Sequence, residues 1–371
     1  MSRDRLVHSA CLAGCAAATL SGAWISGCGD SGDAASSTSA SSTSSGGTST
    51  GASGSSTGAG GAGGSSTGTG GDSSTSASSS TSASSSSSGT GGAGPVGVII
   101  TAAGHPAALA VDASGLYWSD AVTGDVKRAA LDGSNVTTLA LAAVAPADLR
   151  GLVLGATDVY LAAAPNPTGG IRKVPKAGGA VTTAASSPSV TALTALNGVP
   201  YWGDSAGGSI VSLNGTLSYG IWKPTTVAAD PSGVYWTEDT LNIVRRVSLD
   251  GSKVSTMAIK VPGAELGGVA NGLVYFAHAG AIHAVPITGG APPADVVMNA
   301  KPHFLTPTMR GLYWVEDAPS MMPRPIKALA TGATTPVELG TATETSGLAV
   351  GQGYIYWASG VDGTIAREKE L

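Results

Sequence analysis

The chain has 371 residues, a formal net charge of −5 and only 12% charged side chains, with 55 glycines and 5% aromatic residues. A near-neutral balance without a basic run gives no electrostatic footprint for nucleic acid, which is excluded as a partner. The averages conceal three compositions joined end to end, so each segment has to be read separately.

Residues 1–27 open on Arg3 and Arg5 and continue in small and apolar residues to Trp24-Ile25-Ser26-Gly27, just before Cys28. A basic start, an apolar stretch and a small-residue end form the pattern of an export signal. Ile25-Ser26-Gly27-Cys28 resembles the lipobox of bacterial lipoproteins. That resemblance implies cleavage before Cys28, acylation of Cys28 and membrane attachment through its acyl chains, two or more of which anchor stably. Leu12-Ala13-Gly14-Cys15 fits the same box, but cleavage there would leave an apolar stretch in the mature chain, so Cys28 is preferred. An ordinary secretory signal with an incidental Cys28 is the alternative. Cys11, Cys15 and Cys28 are the only cysteines, so no disulfide or thiolate chemistry is expected once the signal is removed. Gly29, rather than Asp, follows the cysteine. Under the sorting pattern that the resemblance brings, this favours the outer membrane of a Gram-negative envelope, on its periplasmic side or at the cell surface.

Residues 28–94 follow the lipidation site with Ser, Thr, Gly and Ala, interrupted only by Asp30, Asp33 and Asp72. Such a segment has no apolar surface to set against its ordering entropy and reads as a disordered tether. A Gly/Ser coil of this length spans roughly 45 Å root-mean-square. It is read as a bare spacer, with O-glycans on Ser and Thr as the alternative. Ser-Thr-Gly tethers of this kind resemble those of myxobacterial-type lipoproteins.

Residues 95–371 are repetitive. Tyr117, Tyr160, Tyr201, Tyr235, Tyr275, Tyr313 and Tyr356 are each followed by Trp or another apolar residue, at steps of roughly 34 to 43, the period of a four-stranded propeller blade. Ahead of the tyrosine come turn residues, as in Asp112-Ala113-Ser114-Gly115 and Asp230-Pro231-Ser232-Gly233. After it comes a strand opening on Val126, Ile171, Ile210, Val244, Ile282, Ile326 or Ile365. A further turn, Leu131-Asp132-Gly133-Ser134 or Leu249-Asp250-Gly251-Ser252, leads to an outer strand. No long run with helical periodicity interrupts this grammar.

Tyr117-Trp118-Ser119-Asp120 and Tyr235-Trp236-Thr237-Glu238, each with its Leu-Asp-Gly-Ser turn, resemble the YWTD (LDL-receptor class B) repeats of propeller proteins. The match is partial at Tyr201-Trp202-Gly203-Asp204, Tyr313-Trp314-Val315-Glu316 and Tyr356-Trp357. The resemblance implies an all-β propeller, but that family has six blades and seven units are counted here. The last unit has only three strands, and Val96–Ile100 precedes the first with no unit of its own. Pairing the two would seal a seven-bladed ring and leave no open sheet edge. Six blades with one unit inserted is the alternative.

Aligned units place Asp120, Ala163, Asp204, Glu238, His278, Glu316 and Ser359 at one height, just past each aromatic pair. Asp120, Asp204, Glu238, His278 and Glu316 could converge on a divalent cation or a basic ligand. The competing reading, which the YWTD resemblance also implies, is that each acid pins a neighbouring loop through backbone N–H groups. No other cofactor is indicated. Asp239 and Asp317 should face the other way, into solvent. The Tyr-Trp pairs alternate sides of each strand and read as packing between blades rather than as sugar platforms. Trp222 lies outside the repeat grammar and is a candidate ligand contact. His105 and His303 are expected in loops ahead of innermost strands, as further candidates for contact or acid–base work. Arg128, Lys173, Arg246, Lys327 and Arg367 recur on third strands and should pair with neighbouring acids or face solvent.

The sequence thus leads to a monomeric, lipid-anchored, non-enzymatic module that binds a protein or glycan. A metal-dependent propeller hydrolase or lyase of the sugar-lactonase type is the alternative, and a purely structural surface protein the second.

Overall fold

A computed structural model of the chain describes residues 97–145, 148–163, 169–319 and 322–371. The export signal, the lipidation site Cys28, the 28–94 tether and Val96 lie outside the described residues. What is described is all-β: seven antiparallel sheets of four strands each.

Blade 1 runs outward from Pro106–Asp112 through Gly115–Asp120 and Val126–Ala129 to Thr137–Ala140. The innermost strands of blades 2 to 7 are Leu149–Leu154, Val190–Leu196, Pro224–Asp230, Glu265–Ala270, Pro302–Pro307 and Thr345–Gly351. Each packs against the innermost strand of the next blade, and the seventh packs against the first. Blade 7 takes its outermost strand from the other end of the chain. Gly97–Ile100 pairs antiparallel with Thr364–Lys369, Val98 opposite Ala366 and Ile100 opposite Ile365. All seven units are complete blades, so the six-bladed alternative is not what forms.

The Tyr-Trp pair explains why the ring holds. Adjacent residues on a strand point to opposite sides of the sheet, so the tyrosine faces the following blade and the tryptophan the preceding one. Tyr160 meets Trp202, Tyr201 meets Trp236, Tyr275 meets Trp314, Tyr313 meets Trp357, and Tyr356 meets Trp118 across the closure. At the remaining two interfaces Leu161 and Phe276 stand in for tryptophan, against Tyr117 and Tyr235. Seven apolar clusters therefore fill seven interfaces. The third-strand residues Val126, Ile171, Ile210, Val244, Ile282, Ile326 and Ile365 are all fully buried in them. Truncating one of these interface aromatics to alanine would cost about 3–5 kcal/mol.

The turns are specified locally. Asp112 Oδ1 accepts the Ser114 N–H at 2.8 Å and its hydroxyl at 2.5 Å, and Ser114 Oγ lies 2.8 Å from Tyr117 Oη. Asp230, Ser232 and Tyr235 repeat this in blade 4. The Leu-Asp-Gly-Ser turns dock on the preceding blade. Gly251 has φ +73°, and a Cβ there would lie 2.9 Å from the Leu217 carbonyl oxygen, so only glycine permits the approach. Among the described residues Arg246 and Arg367 bond to backbone rather than closing an ion pair with an acid. They donate to the backbone carbonyls of Ile287 and Leu131, at 2.7 and 2.6 Å, and clamp the third strand to the turn of the next blade.

Candidate functional site: the loop-rich face

The second strands end at Asp120, Ala163, Asp204, Glu238, His278, Glu316 and Ser359, so the aligned ring is real in register. In six blades its member stands opposite the first residue of the innermost strand, as Pro106 does for Asp120. The ring thus lies where loops enter from the preceding blade.

Its four carboxylates use their oxygens within the chain. Each takes a donor from the incoming loop: the His105 N–H for Asp120, the Ser187 hydroxyl for Asp204, the Trp222 N–H for Glu238 and the Lys301 N–H for Glu316. The remaining lone pairs divide by side-chain length. The two aspartates cap their own following turns, Asp120 accepting from Val122 and Thr123, Asp204 from Ala206 and Gly207. The two glutamates are one methylene longer and reach back to the indole two residues earlier. Trp236 Nε1 donates to Glu238 at 3.0 Å and Trp314 Nε1 to Glu316 at 2.9 Å. Beside the shorter acids the indole must look elsewhere: Trp118 finds the Ala103 carbonyl, while the buried Trp202 Nε1 has no partner among the described residues.

Three of the acids also meet a base on the third strand, opposite the tryptophan: Lys127 at 2.8 Å, Arg245 at 3.0 Å and Lys327 at 3.4 Å. Lys127 and Arg245 were missed in favour of their neighbours Arg128 and Arg246. Strand alternation would have found them, because only the residue paired with Trp shares the face of the acid two positions on. At Asp120 burial opposes ionisation, but Lys127 and the Val122, Thr123 and His105 N–H groups outweigh it and bring the carboxyl down to about 2.

Among the described residues no group of three or more His, Cys, Asp or Glu side chains is placed to hold a metal ion. His278 Nδ1 lies 3.0 Å from the Pro262 carbonyl, and its own carbonyl 3.1 Å from His283 Nε2. His105 precedes the first innermost strand as expected and is exposed. His303, however, is inside the innermost strand of blade 6 rather than in a loop, opposite Val315. Its Nε2 is 3.5 Å from Asp317, so that aspartate is not simply solvated.

Trp222 is 66% exposed, with Tyr219 nearby at 75%, whereas Trp118, Trp202, Trp236, Trp314 and Trp357 are all buried. The loop that carries it is fixed. Ile221 is buried in the cluster of Tyr201 and Trp236, its N–H donates to Gly208, and the Trp222 N–H meets Glu238.

One residue was not anticipated. Glu265 opens the innermost strand of blade 5 opposite Ala277, the position that His303 holds in blade 6. Desolvation raises its carboxyl above the usual range, against the pull of His303. Extending the repeat alignment to the innermost strands would have placed the two side by side.

No protein-family model matches the chain, and no curated protein matches it. Solved structures do. A streptogramin B lyase aligns with TM-score 0.56 and 18% identity over 72% of this chain and 94% of that one. Virginiamycin B lyase from Staphylococcus aureus aligns with TM-score 0.58 and 16% identity over 74% and 98%. Similarity at this level establishes the propeller fold and nothing finer. A chain of a nidogen/laminin complex aligns more loosely, at TM-score 0.44 and 18% identity over 59% and 90%.

Proposed function

We propose that the protein is a non-enzymatic binding propeller of the YWTD-like type. It would be anchored to the outer membrane through lipid on Cys28 and held off it by the 28–94 tether. Its loop-rich face would take a protein or glycan partner. The observation that carries the reading is Trp222: a large aromatic side chain left in solvent on a backbone that a buried carboxylate holds in place. Tryptophan and tyrosine on a rigid loop are the residues that anchor interfaces, because little side-chain entropy is lost when they are covered. Gly97, the first described residue of the propeller, lies on the opposite face, paired with Arg367.

The metal-dependent hydrolase or lyase fits less well. It needs two or more of Asp120, Asp204, Glu238 and Glu316, or one carboxylate with His278, His105 or His303, turned into one axial pocket, and all four acids already accept hydrogen bonds within the chain.

The test compares wild type with Trp222→Ala and with Met309→Ala, which alters an exposed residue of the opposite face, for binding to isolated envelope proteins and glycans. Loss of binding in Trp222→Ala alone, with an unchanged melting temperature, is expected. Loss in Met309→Ala alone would move the binding surface to the other face.

A further inference from the structure

Between Ala177 and Trp222 the chain carries one charged side chain, Asp204. That carboxylate is buried and takes the Ser187 hydroxyl. The surface of blade 3 is therefore made of hydroxyls, backbone amides and small side chains. On the loop-rich face it offers Ser189 and Ser205, whose hydroxyls lie 2.5 Å apart. The uncharged stretch ends on Tyr219 and Trp222, which among the described residues are the only exposed aromatic side chains. Charge returns immediately after them, at Lys223 and then at Asp239 and Lys260 in the loops of blade 4.

Both aromatics stand on fixed backbone. Tyr219 closes the outer strand of blade 3 opposite Ser209. Trp222 follows the buried Ile221, and its N–H meets Glu238. Being three residues apart, their Cα atoms lie within about 11 Å of each other. Gly220 between them has φ +70°, and a Cβ there would meet nothing within 4 Å, so the backbone joining the two side chains borders open space. Among the described residues neither ring contacts another ring, and neither Tyr219 Oη nor Trp222 Nε1 has a hydrogen-bond partner.

We propose, on the reading that the loop-rich face is the binding face, that its ligand is a neutral glycan seated on blade 3, with sugar rings over Trp222 and Tyr219. A pyranose ring presents a flat face of C–H groups edged by hydroxyls. The C–H face packs on the electron-rich face of an aromatic ring. The hydroxyls need partners that donate and accept, which Ser189, Ser205 and Tyr219 Oη do, while Trp222 Nε1 adds a donor. A neutral ligand that covers a charged side chain strips its hydration and supplies no counter-charge, and the uncharged stretch avoids that cost. An acidic glycan would find a single cation, Lys223, at the edge. A protein partner would instead favour the blade 4 side, where Leu241 and Ile259 are exposed among charges.

The test is calorimetric titration of the purified chain with cellohexaose, hexa-N-acetylchitohexaose, maltohexaose and laminarihexaose, with hexagalacturonate as the charged comparison. At least one neutral hexasaccharide should bind, more tightly than hexagalacturonate and with a Kd that added salt leaves unchanged. Trp222→Ala and Tyr219→Ala, each with an unchanged melting temperature, should weaken it at least tenfold, and Lys223→Ala less than twofold. Absence of binding by all four neutral sugars would overturn the proposal. So would binding that survives Trp222→Ala or that Lys223→Ala abolishes. A Trp222-dependent protein partner with no sugar bound would overturn the ligand class and leave the binding face standing.

Discussion

Replacing Asp120 with asparagine keeps the shape of the side chain and changes only what it can accept. In the wild type Oδ1 takes the Val122 and Thr123 N–H groups at 2.9 and 3.2 Å. Oδ2 takes Lys127 Nζ at 2.8 Å and the His105 N–H at 3.4 Å. An asparagine must turn its NH₂ toward one of these pairs, and either way a donor confronts donors. The carboxyl falls from 3.8 to about 2, which at roughly 1.4 kcal/mol per unit is worth about 2 kcal/mol at neutral pH. With the stranded donors added, Asp120→Asn should cost about 2–3 kcal/mol, or about 4–6 °C in Tm for a domain of this size. Asp204→Asn is the control. Its Oδ1 also takes two backbone N–H groups, but Oδ2 faces only the Ser187 hydroxyl at 2.8 Å. A hydroxyl can turn round and accept from an amide, so the cost there should stay under about 1 kcal/mol. Because the folded carboxyl of Asp120 is depressed, its contribution is complete above pH 4 and is lost as the pH falls through about 2. The gap between wild type and Asp120→Asn should therefore close in that window. Urea unfolding followed by tryptophan fluorescence at pH 7, 4 and 2 measures all of this. Equal costs at the two aspartates, or a gap that ignores pH, would refute the reasoning.

Gly251→Ala forces a side chain into the left-handed region against the Leu217 carbonyl. It should lower stability by about 1–3 kcal/mol in the same unfolding assay. Glu265 has the opposite sign to Asp120. Its folded carboxyl is raised, so its favourable contribution exists below the unfolded pKa and disappears as the pH rises through the folded one. Glu265→Gln should accordingly melt higher than wild type at pH 7 and no higher at pH 4, as thermal unfolding at the two values would record. Adding Ca²⁺, Mg²⁺, Mn²⁺ or Zn²⁺ after EDTA should leave the melting midpoint unchanged. A ligand of the folded state would raise it by mass action, and a rise abolished by Glu238→Ala would restore the metal-site alternative.

What could be read in advance follows from which features repeat. Tyr117-Trp118 and its copies must fill both sides of every blade, so the interface chemistry recurs at blade period and reveals the ring. The Asp-x-Ser-Gly turns are local and self-contained, and the missing fourth strand of the last unit pointed directly to Gly97–Ile100. The ring of acids was legible in height, and its loop-pinning role through backbone N–H groups in the reading the YWTD resemblance implied, but spacing does not say where the remaining lone pairs go. Whether an acid caps its own turn or reaches back to an indole depends on one methylene. Arg128 and Arg246 drew attention away from Lys127 and Arg245 because a one-residue step changes faces. Glu265 escaped because the aromatic anchors fix the second strand, while the innermost strands bulge at different steps from blade to blade. Trp222 stood out for the opposite reason: it fits no repeat position, and the fold had no interior place for it.

The binding face is tested most directly by placing a photo-crosslinking amino acid at Trp222, and separately at Met309 on the opposite face, in cells that express the full chain. Illumination should give one dominant adduct from position 222 and little from 309, identified by mass spectrometry. Adducts as abundant from 309 as from 222, or none from 222, would contradict a partner seated on the loop-rich face.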